Sequence, residues 1–441
     1  MGFRGCYKKA VRIPEADRRI LMLAIPALGA LAAEPLYVLV DTAIVGHLGV
    51  ASLAALALAG SLLAAVATLC NFLEYGSTPK VGRLFAVGDS AAAAHLGRQA
   101  VLFGAMLGVV VAGLSVALAQ PLVSLLGGHG RVGALAALYM RIAAIGLPFA
   151  LIAVASQGYF RGVARLVMPL VVLIGGNVLN AALEVWFVYG LHWGIAGSAW
   201  GTVLAQAVMA STFIAIVGRR EPGQALIDPQ ALRSLARTGR EIFIRTGALY
   251  AAFLIAGAVL ARTGPASLAA HQIVFQLWNM LALVLDAIAI AAQVLVSHQL
   301  ALLNAGEARA LATRALAWSL MVGVACGLIF VVLGGLIPHA FSSNGRVLNR
   351  VHAVWLIFAA MQPLNAVVFA LDGILLGAGD TRYLALAMVP CSLLVFAPLA
   401  IASLLAGWGI VGVWLAIVAL IAARLVVNGT RFLGGAWTRA V

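Results

Sequence analysis

Charged residues and cysteines are scarce in this chain of 441 residues. Only 10% of the residues are charged, whereas a typical soluble domain carries about 25%. Four cysteines occur, and Cys70, Cys326 and Cys391 lie within apolar runs, which excludes a disulfide framework and a CxxC metal site. Because 64% of the residues are hydrophobic, we predict an integral membrane protein.

Sequence motifs for catalysis and ATP hydrolysis are also missing. The chain contains no GxSxG, GxxxxGKS/T or HExxH, so we expect neither an enzyme nor ATP-driven transport, and no metal or organic cofactor. A receptor or membrane enzyme would need a ligand domain or catalytic cluster, and no predicted loop exceeds about two dozen residues. Lys and Arg (28) outnumber Asp and Glu (14), but no basic stripe alternates with aromatic residues, which excludes a nucleic-acid partner.

Apolar runs separated by polar, Gly or Pro residues predict an all-α protein with twelve membrane-spanning helices. At about 20 residues per span, a chain of this length holds roughly twelve passes. The predicted helices are 20–47, 53–77, 98–120, 134–160, 166–191, 195–218, 241–262, 267–295, 310–336, 350–376, 383–406 and 410–433. The first run imitates a signal peptide, but its apolar character continues past Glu34 to Gly46, so we expect it to be retained as a span.

The Lys and Arg residues predict the orientation in the membrane. With the N-terminus inside, 23 of the 28 fall on the cytoplasmic side and five on the other. This bias favours an inner-membrane protein with both termini in the cytoplasm. The 23 include Arg161, Arg245 and Arg424, which we place at the cytoplasmic ends of helices.

An internal repeat predicts two similar halves. Sliding the chain against itself by 215 residues aligns several small residues and prolines. The aligned pairs include Gly49 with Gly264, Pro148 with Pro363, Gly158 with Gly373, Gly162 with Gly377 and Gly194 with Gly409. We therefore predict an N-terminal six-helix lobe (1–218), a cytoplasmic linker (219–240) and a C-terminal six-helix lobe (241–441), related by a pseudo-two-fold axis along the membrane normal.

Six acids lie inside the predicted spans, where a charge costs about 2.5–3.5 kcal/mol. They are Glu34, Asp41, Glu74, Glu184, Asp286 and Asp372. Such an acid either serves function or fixes helix packing by bonding a hydroxyl or amide. Arg141 is a candidate counter-ion or reaches the outer interface, and His47 and His271, at helix ends, are expected to be solvated.

Two polar helix faces make Asp41 and Glu184 the leading functional candidates. Glu34, Tyr37 and Asp41 follow an i, i+3, i+7 spacing. Asn177, Asn180 and Glu184 repeat that spacing, and Thr202 and Gln206 lie on the next helix. Counting about 1.5 Å per residue from the cytoplasmic end puts both acids at similar depth. Pro26 and Pro35 each remove a backbone hydrogen bond, which lets the first helix bend.

The sequence resembles the multidrug and toxic compound extrusion (MATE) transporters, in particular the DNA-damage-inducible F subgroup. The matching motifs are Val40-Asp41-Thr42-Ala43, Asn177-Val178-Leu179-Asn180 with Glu184, and Asp372-Gly373 through Asp380-Thr381-Arg382. The resemblance covers nearly the whole chain. It implies two lobes around a central cavity and cation-driven antiport of small, amphipathic organic compounds.

The resemblance also assigns roles to individual positions. It implies a coupling acid at Asp41, helix bending at Pro26, aromatic neighbours at Tyr37 and Tyr139, and a polar cluster of Asn180, Glu184 and Thr202. Two positions depart from the family pattern. Glu184 stands where Asp is usual, and helix 7 lacks the acid that would pair with Asp372, the candidate in the second lobe.

From these residues we predict proton-coupled efflux of amphipathic, often cationic compounds. Sodium-coupled antiport is one alternative, because Asp41, Asn180, Glu184 and Thr202 offer several oxygen ligands. A lipid-intermediate flippase is a second, although its phosphate substrates would favour a cationic cavity and the candidates here are mainly acidic. We expect a monomer surrounded by membrane lipids.

Overall fold

The computed structural model describes residues 14–218 and 226–439. Helices dominate both ranges. The first range contains α1 (Glu15–Gly46), α2 (Val50–Cys70), α3 (Phe72–Ala86), α4 (Ser90–Leu125), α5 (Gly130–Ile145), α6 (Leu147–Gly162), α7 (Val167–Val185) and α8 (Gly194–Val217). The second contains α9 (Pro229–Thr263), α10 (Pro265–Ala301), α11 (Ala305–Val332), α12 (Ile337–Phe341), α13 (Gly345–Ala360), α14 (Gln362–Gly377), α15 (Thr381–Pro390), α16 (Ala397–Leu405) and α17 (Gly409–Leu433).

The described residues form twelve spans, as the sequence predicts. Ten are helical stretches long and apolar enough to cross a membrane. Three of these ten spans combine consecutive elements: α2 with α3, α7 with the π-helical segment Trp186–Gly190, and α15 with α16 through the π-helical segment Cys391–Phe396. The other two are bent pairs, α5 with α6 at 51° and α13 with α14 at 52°. The all-α, twelve-helix membrane prediction is thus confirmed.

Several helices extend beyond their predicted ends because polar residues cap them outside the apolar run. The Asp89 carboxylate accepts a hydrogen bond from the Ala92 N–H at the start of α4. Asp228 caps α9 in the same way, so the helix predicted at 241–262 begins at Pro229. Part of the predicted linker 219–240 is therefore helical, and 219–225 lie outside the described residues.

The repeat is visible in the backbone. Gly49 and Gly264 have φ values of 110° and 116°, and both precede a helix. Gly194 and Gly409, also one repeat apart, have φ values of 56° and 58°. These left-handed conformations favour glycine, which explains why both copies retain it.

The two halves meet at the end of the molecule where α1 begins. Residues near Ile20 and Ala27 pack in one apolar cluster with residues near Ile290 of α10. At the same end, Arg83 donates to the carbonyl of Ala378 (2.5 Å). The packing closes this end, while the cavities described below lie farther along the helices.

Candidate functional site

Asp41 is held on the inner face of the first half. Its side chain is 5% exposed. Ser198 Oγ donates to Asp41 Oδ1 (2.6 Å), and Tyr139 OH donates to Oδ2 (3.4 Å). Tyr139 was expected beside Asp41 from the family resemblance, whereas Ser198 was not predicted. The sequence does contain a signal for Ser198, because it lies one helical turn from Thr202 and therefore on the same face of α8.

Glu184 is fully buried next to Asp41. Thr202 Oγ1 donates a hydrogen bond to Glu184 Oε1 (3.4 Å) and accepts one from Asn180 Nδ2 (3.3 Å). Thr202 Oγ1 is also hydrogen-bonded to Tyr37 OH (2.9 Å). The carboxyl groups of Glu184 and Asp41 lie close enough for each to interact with the charge of the other. Two buried carboxyl groups this close resist double ionisation, which favours a proton on one of the two.

Close helix packing puts Glu184 in this position. A Cβ atom at Gly201 would lie 2.9 Å from Glu184 Cγ, so only glycine lets α8 approach α7 here. On the other side, Asn177 Nδ2 donates to the carbonyl of Ala33 (2.9 Å), which ties α7 to α1. The two polar faces predicted from sequence therefore meet.

Two adjoining cavities open onto this cluster. The first, of about 440 Å³, has Asp41, Tyr37 and Tyr139 in its wall. The second, of about 260 Å³, has Asn177, Asn180 and Arg161 in its wall. Glu34, Tyr37, Thr202 and Gln206 line both cavities, and Glu34 is exposed to them.

The two prolines of α1 do not interrupt it. α1 runs through Pro26 and Pro35 as one continuous helix.

A charged cluster forms one wall of the second cavity and links the halves. Arg161, 3% exposed, pairs with Glu74 (NH2–Oε1, 2.6 Å). Tyr75 OH donates to Asp286 of α10. The Tyr75 carbonyl accepts from Gln293 Nε2 (3.0 Å). The two hydrogen bonds of Tyr75 thus join the first half to the second beside the Glu74–Arg161 pair.

Asp372 has partners that the sequence analysis did not anticipate. Its carboxylate accepts from Arg245 NH2 (2.5 Å), Arg424 NH2 (2.5 Å) and Asn428 Nδ2 (2.8 Å). The predicted helix 7 (α9) contributes Arg245 rather than an acid, so Asp372 pairs with two arginines. Asp372 lies outside the Asp41 cluster, and the small space around it is only about 10 Å³.

Arg161, Arg245 and Arg424, predicted at cytoplasmic helix ends, have acid partners that the sequence analysis did not anticipate. All three form ion pairs with intramembrane acids, and Arg161 and Arg424 are buried. His271 was expected to be solvated but is 3% exposed and stacks on Phe275. Arg141 and His47 are exposed.

Known proteins match this chain along most of its length. The MatE family model matches residues 26–186 and 242–402, once in each half. Protein DETOXIFICATION 44, chloroplastic, of Arabidopsis thaliana is 30% identical, with 96% of this chain and 84% of that protein covered. DNA damage-inducible protein F of Escherichia coli is 25% identical, covering 83% of this chain and 82% of that one.

The fold matches solved structures as well. The Vibrio cholerae MATE transporter VcmN in its bent form superposes with a TM-score of 0.85 at 18% identity, covering 96% of both chains. The repeated family match, the relatives and the two-lobe fold agree with one another and with the resemblance found in the sequence. The chain therefore belongs to the MatE family and is a multi-pass membrane transporter rather than an enzyme.

Proposed function

We propose that the protein exports amphipathic, often cationic organic compounds from the cell by antiport against protons. The observation that carries the proposal is the close Asp41–Glu184 carboxyl pair, held by Ser198, Tyr139 and Thr202, beside a cavity of about 440 Å³. That volume lies within the range of small-molecule sites. The wall combines acidic groups with apolar residues such as Leu53 and Leu56, which suits an amphipathic cation.

Two adjacent carboxyl groups supply a means of proton coupling. Because double ionisation of so close a buried pair is unfavourable, the pair exchanges a proton when its surroundings change. An external proton taken up at Asp41 removes the charge that holds a cationic substrate. Bending of α1 at Pro26 or Pro35 then changes the cavity shape and expels the substrate outward.

Alternating access requires that the halves separate at the end where they now meet. With both termini in the cytoplasm of an inner-membrane protein, that closed end is the cytoplasmic one and the cavity faces outward. The Tyr75–Asp286 hydrogen bond crosses between the halves and must break when the cytoplasmic end opens. We assign it the role of an inter-lobe contact that stabilises the outward-facing state.

Sodium remains a competing coupling ion because oxygen atoms converge here. Asn180 Oδ1 and Glu184 Oε2 are buried and accept no hydrogen bond in the described part of the chain. Both could ligate a cation. A flippase is less well supported, because Arg161, the guanidinium beside the cavity, is already paired with Glu74.

The test is dye transport in proteoliposomes at constant membrane potential. Proton and sodium gradients are imposed separately, and uptake of a cationic fluorescent dye is followed in each case. We expect transport under the pH gradient alone. Transport driven by sodium but not by protons would refute proton coupling, and no transport in either would refute cation-coupled export of such compounds.

A further inference from the structure

An apolar groove runs along the lipid-facing surface of the second half. It has a volume of about 780 Å³ and lies between α17 and the span formed by α15 and Cys391–Phe396. Leu386, Leu394 and Val426 line it and are 63%, 74% and 64% exposed. The groove is separate from the two cavities beside Asp41, so it is not part of the proposed transport site.

A basic pocket continues the groove at one end. This pocket, of about 630 Å³, shares Leu386 and Pro390 with the groove and contains Arg237, Arg240 and Arg382. All three arginines are exposed, and none of them forms an ion pair within residues 14–218 and 226–439.

One acid shares the pocket but leaves it positively charged. Glu241 Oε2 accepts a hydrogen bond from Thr381 Oγ1 (2.5 Å). Its single negative charge faces three guanidinium groups, so a surplus of positive charge remains for an external anion.

The lengths of groove and pocket match one leaflet of a bilayer. Arg382 and Leu394 are twelve residues apart on one helical span, which corresponds to about 18 Å at 1.5 Å per residue. Half of the hydrocarbon core is about 15 Å thick. An acyl chain lying in the groove would therefore place its headgroup phosphate at the level of the arginines.

We infer that this groove and pocket bind one anionic phospholipid of the adjacent leaflet. Arginines between transmembrane helices recognise phosphate by paired N–H donors and charge, and such basic pockets suit anionic lipid headgroups. A free phosphate would use the arginines alone, whereas a zwitterionic lipid would use the groove but gain little from the surplus positive charge. Only an anionic lipid fits both parts.

The bound lipid would touch the wall that supports Asp372. Ala387 and Cys391 line the groove on one side and the small space containing Asp372 and Arg424 on the other. Lipid in the groove therefore packs against the helix that covers the buried ion pairs.

Retention of lipid by the purified full-length protein tests the inference. Delipidated protein in detergent is titrated with dioleoylphosphatidylglycerol or with dioleoylphosphatidylcholine, and bound lipid is counted by native mass spectrometry. Each arginine near an anionic headgroup strengthens binding about fivefold. The triple variant Arg237→Gln, Arg240→Gln, Arg382→Gln is expected to bind phosphatidylglycerol between about tenfold and a hundredfold more weakly, because Glu241 offsets part of the positive charge.

Two further variants separate the site from general surface charge. The control Arg18→Gln, Arg165→Gln, Arg309→Gln removes three exposed arginines elsewhere and is expected to bind like the unmodified protein. Ala422→Trp fills the groove, keeps the arginines and is expected to lose the tight lipid. The inference would be overturned if the unmodified protein bound the two lipids equally, or if the control variant bound phosphatidylglycerol as weakly as the triple variant. It would also be overturned if millimolar inorganic phosphate displaced the lipid whose binding Ala422→Trp abolishes.

Discussion

Removing the Tyr75 hydroxyl is expected to favour opening of the end where the two halves meet. In Tyr75→Phe the ring stays, and only the hydrogen bond to Asp286 of the other half is lost. A hydrogen bond to a charged group contributes about 1.5–3 kcal/mol. Because 1.4 kcal/mol is a factor of ten, the ratio of open to closed molecules should rise between about tenfold and a hundredfold.

The accessibility of Ser297 measures this equilibrium. Ser297 is fully buried and faces Gly82 across the contact between the halves. In a background without native cysteines, Ser297→Cys should react with a maleimide only when that end opens, so its labelling rate follows the open population. Tyr75→Phe should accelerate labelling in proportion to the shift.

Tyr383→Phe is the matched control. The Tyr383 hydroxyl donates to the carbonyl of Val427 (2.7 Å), and both residues belong to the second half. Losing that bond should leave the labelling rate of the cysteine at 297 unchanged. An unchanged rate in Tyr75→Phe, or an equal increase in Tyr383→Phe, would refute the reasoning.

Four further outcomes are expected. Asp41→Asn should fold and insert normally but lose gradient-driven dye transport, and full transport by this variant would exclude Asp41 as the coupling acid. Arg424→Met should lower unfolding stability in detergent by about 3 kcal/mol, because it leaves the buried Asp372 short of a partner; an unchanged melting temperature would contradict this. The Ala231 N–H and His95 hold the pKa of Asp228 below its ordinary value of 3.8. The ionised Asp228 side chain therefore stabilises the fold above pH 3.8, and this stabilisation is lost as the pH falls further. Asp228→Asn should remove this part of the pH dependence of the melting temperature. A cysteine added at the C-terminus should resist impermeant reagents in intact cells, and its labelling from outside would refute the proposed topology.

The sequence predicts the helices and the first-half cluster well because both depend on local spacing. An apolar run of about 20 residues identifies a span whatever its neighbours are. The i, i+3, i+7 faces of α1 and α7 put Asp41 and Glu184 on inward faces, and the common depth of the two acids brings them together.

The ion pairs of Asp372 and Glu74 could not be predicted in the same way. Asp372 is 127 residues from Arg245 and 52 from Arg424, and only the packing of α9, α14 and α17 joins them. An arginine near a helix end is ordinarily interfacial, so charge counting gives no sign that these residues pair with buried acids. The sequence contained one usable signal: Arg424 and Asn428 lie one turn apart on one face of a helix that is apolar from Ile410 to Ala423.

The distribution of ion pairs within the molecule suits a transporter whose halves separate. The buried pairs Glu74–Arg161 and Asp372–Arg424 each lie inside one half, so opening the molecule leaves them intact. Splitting such a pair at membrane depth would leave uncompensated charges that cost several kcal/mol each. The Asp17–Arg314 pair does cross between the halves, but the Arg314 side chain is 47% exposed, so water can replace its partner. At depth, the crossing contact to Asp286 is made by the neutral hydroxyl of Tyr75, whose loss separates no charges. The contacts that must break in each cycle are therefore those that break at low cost.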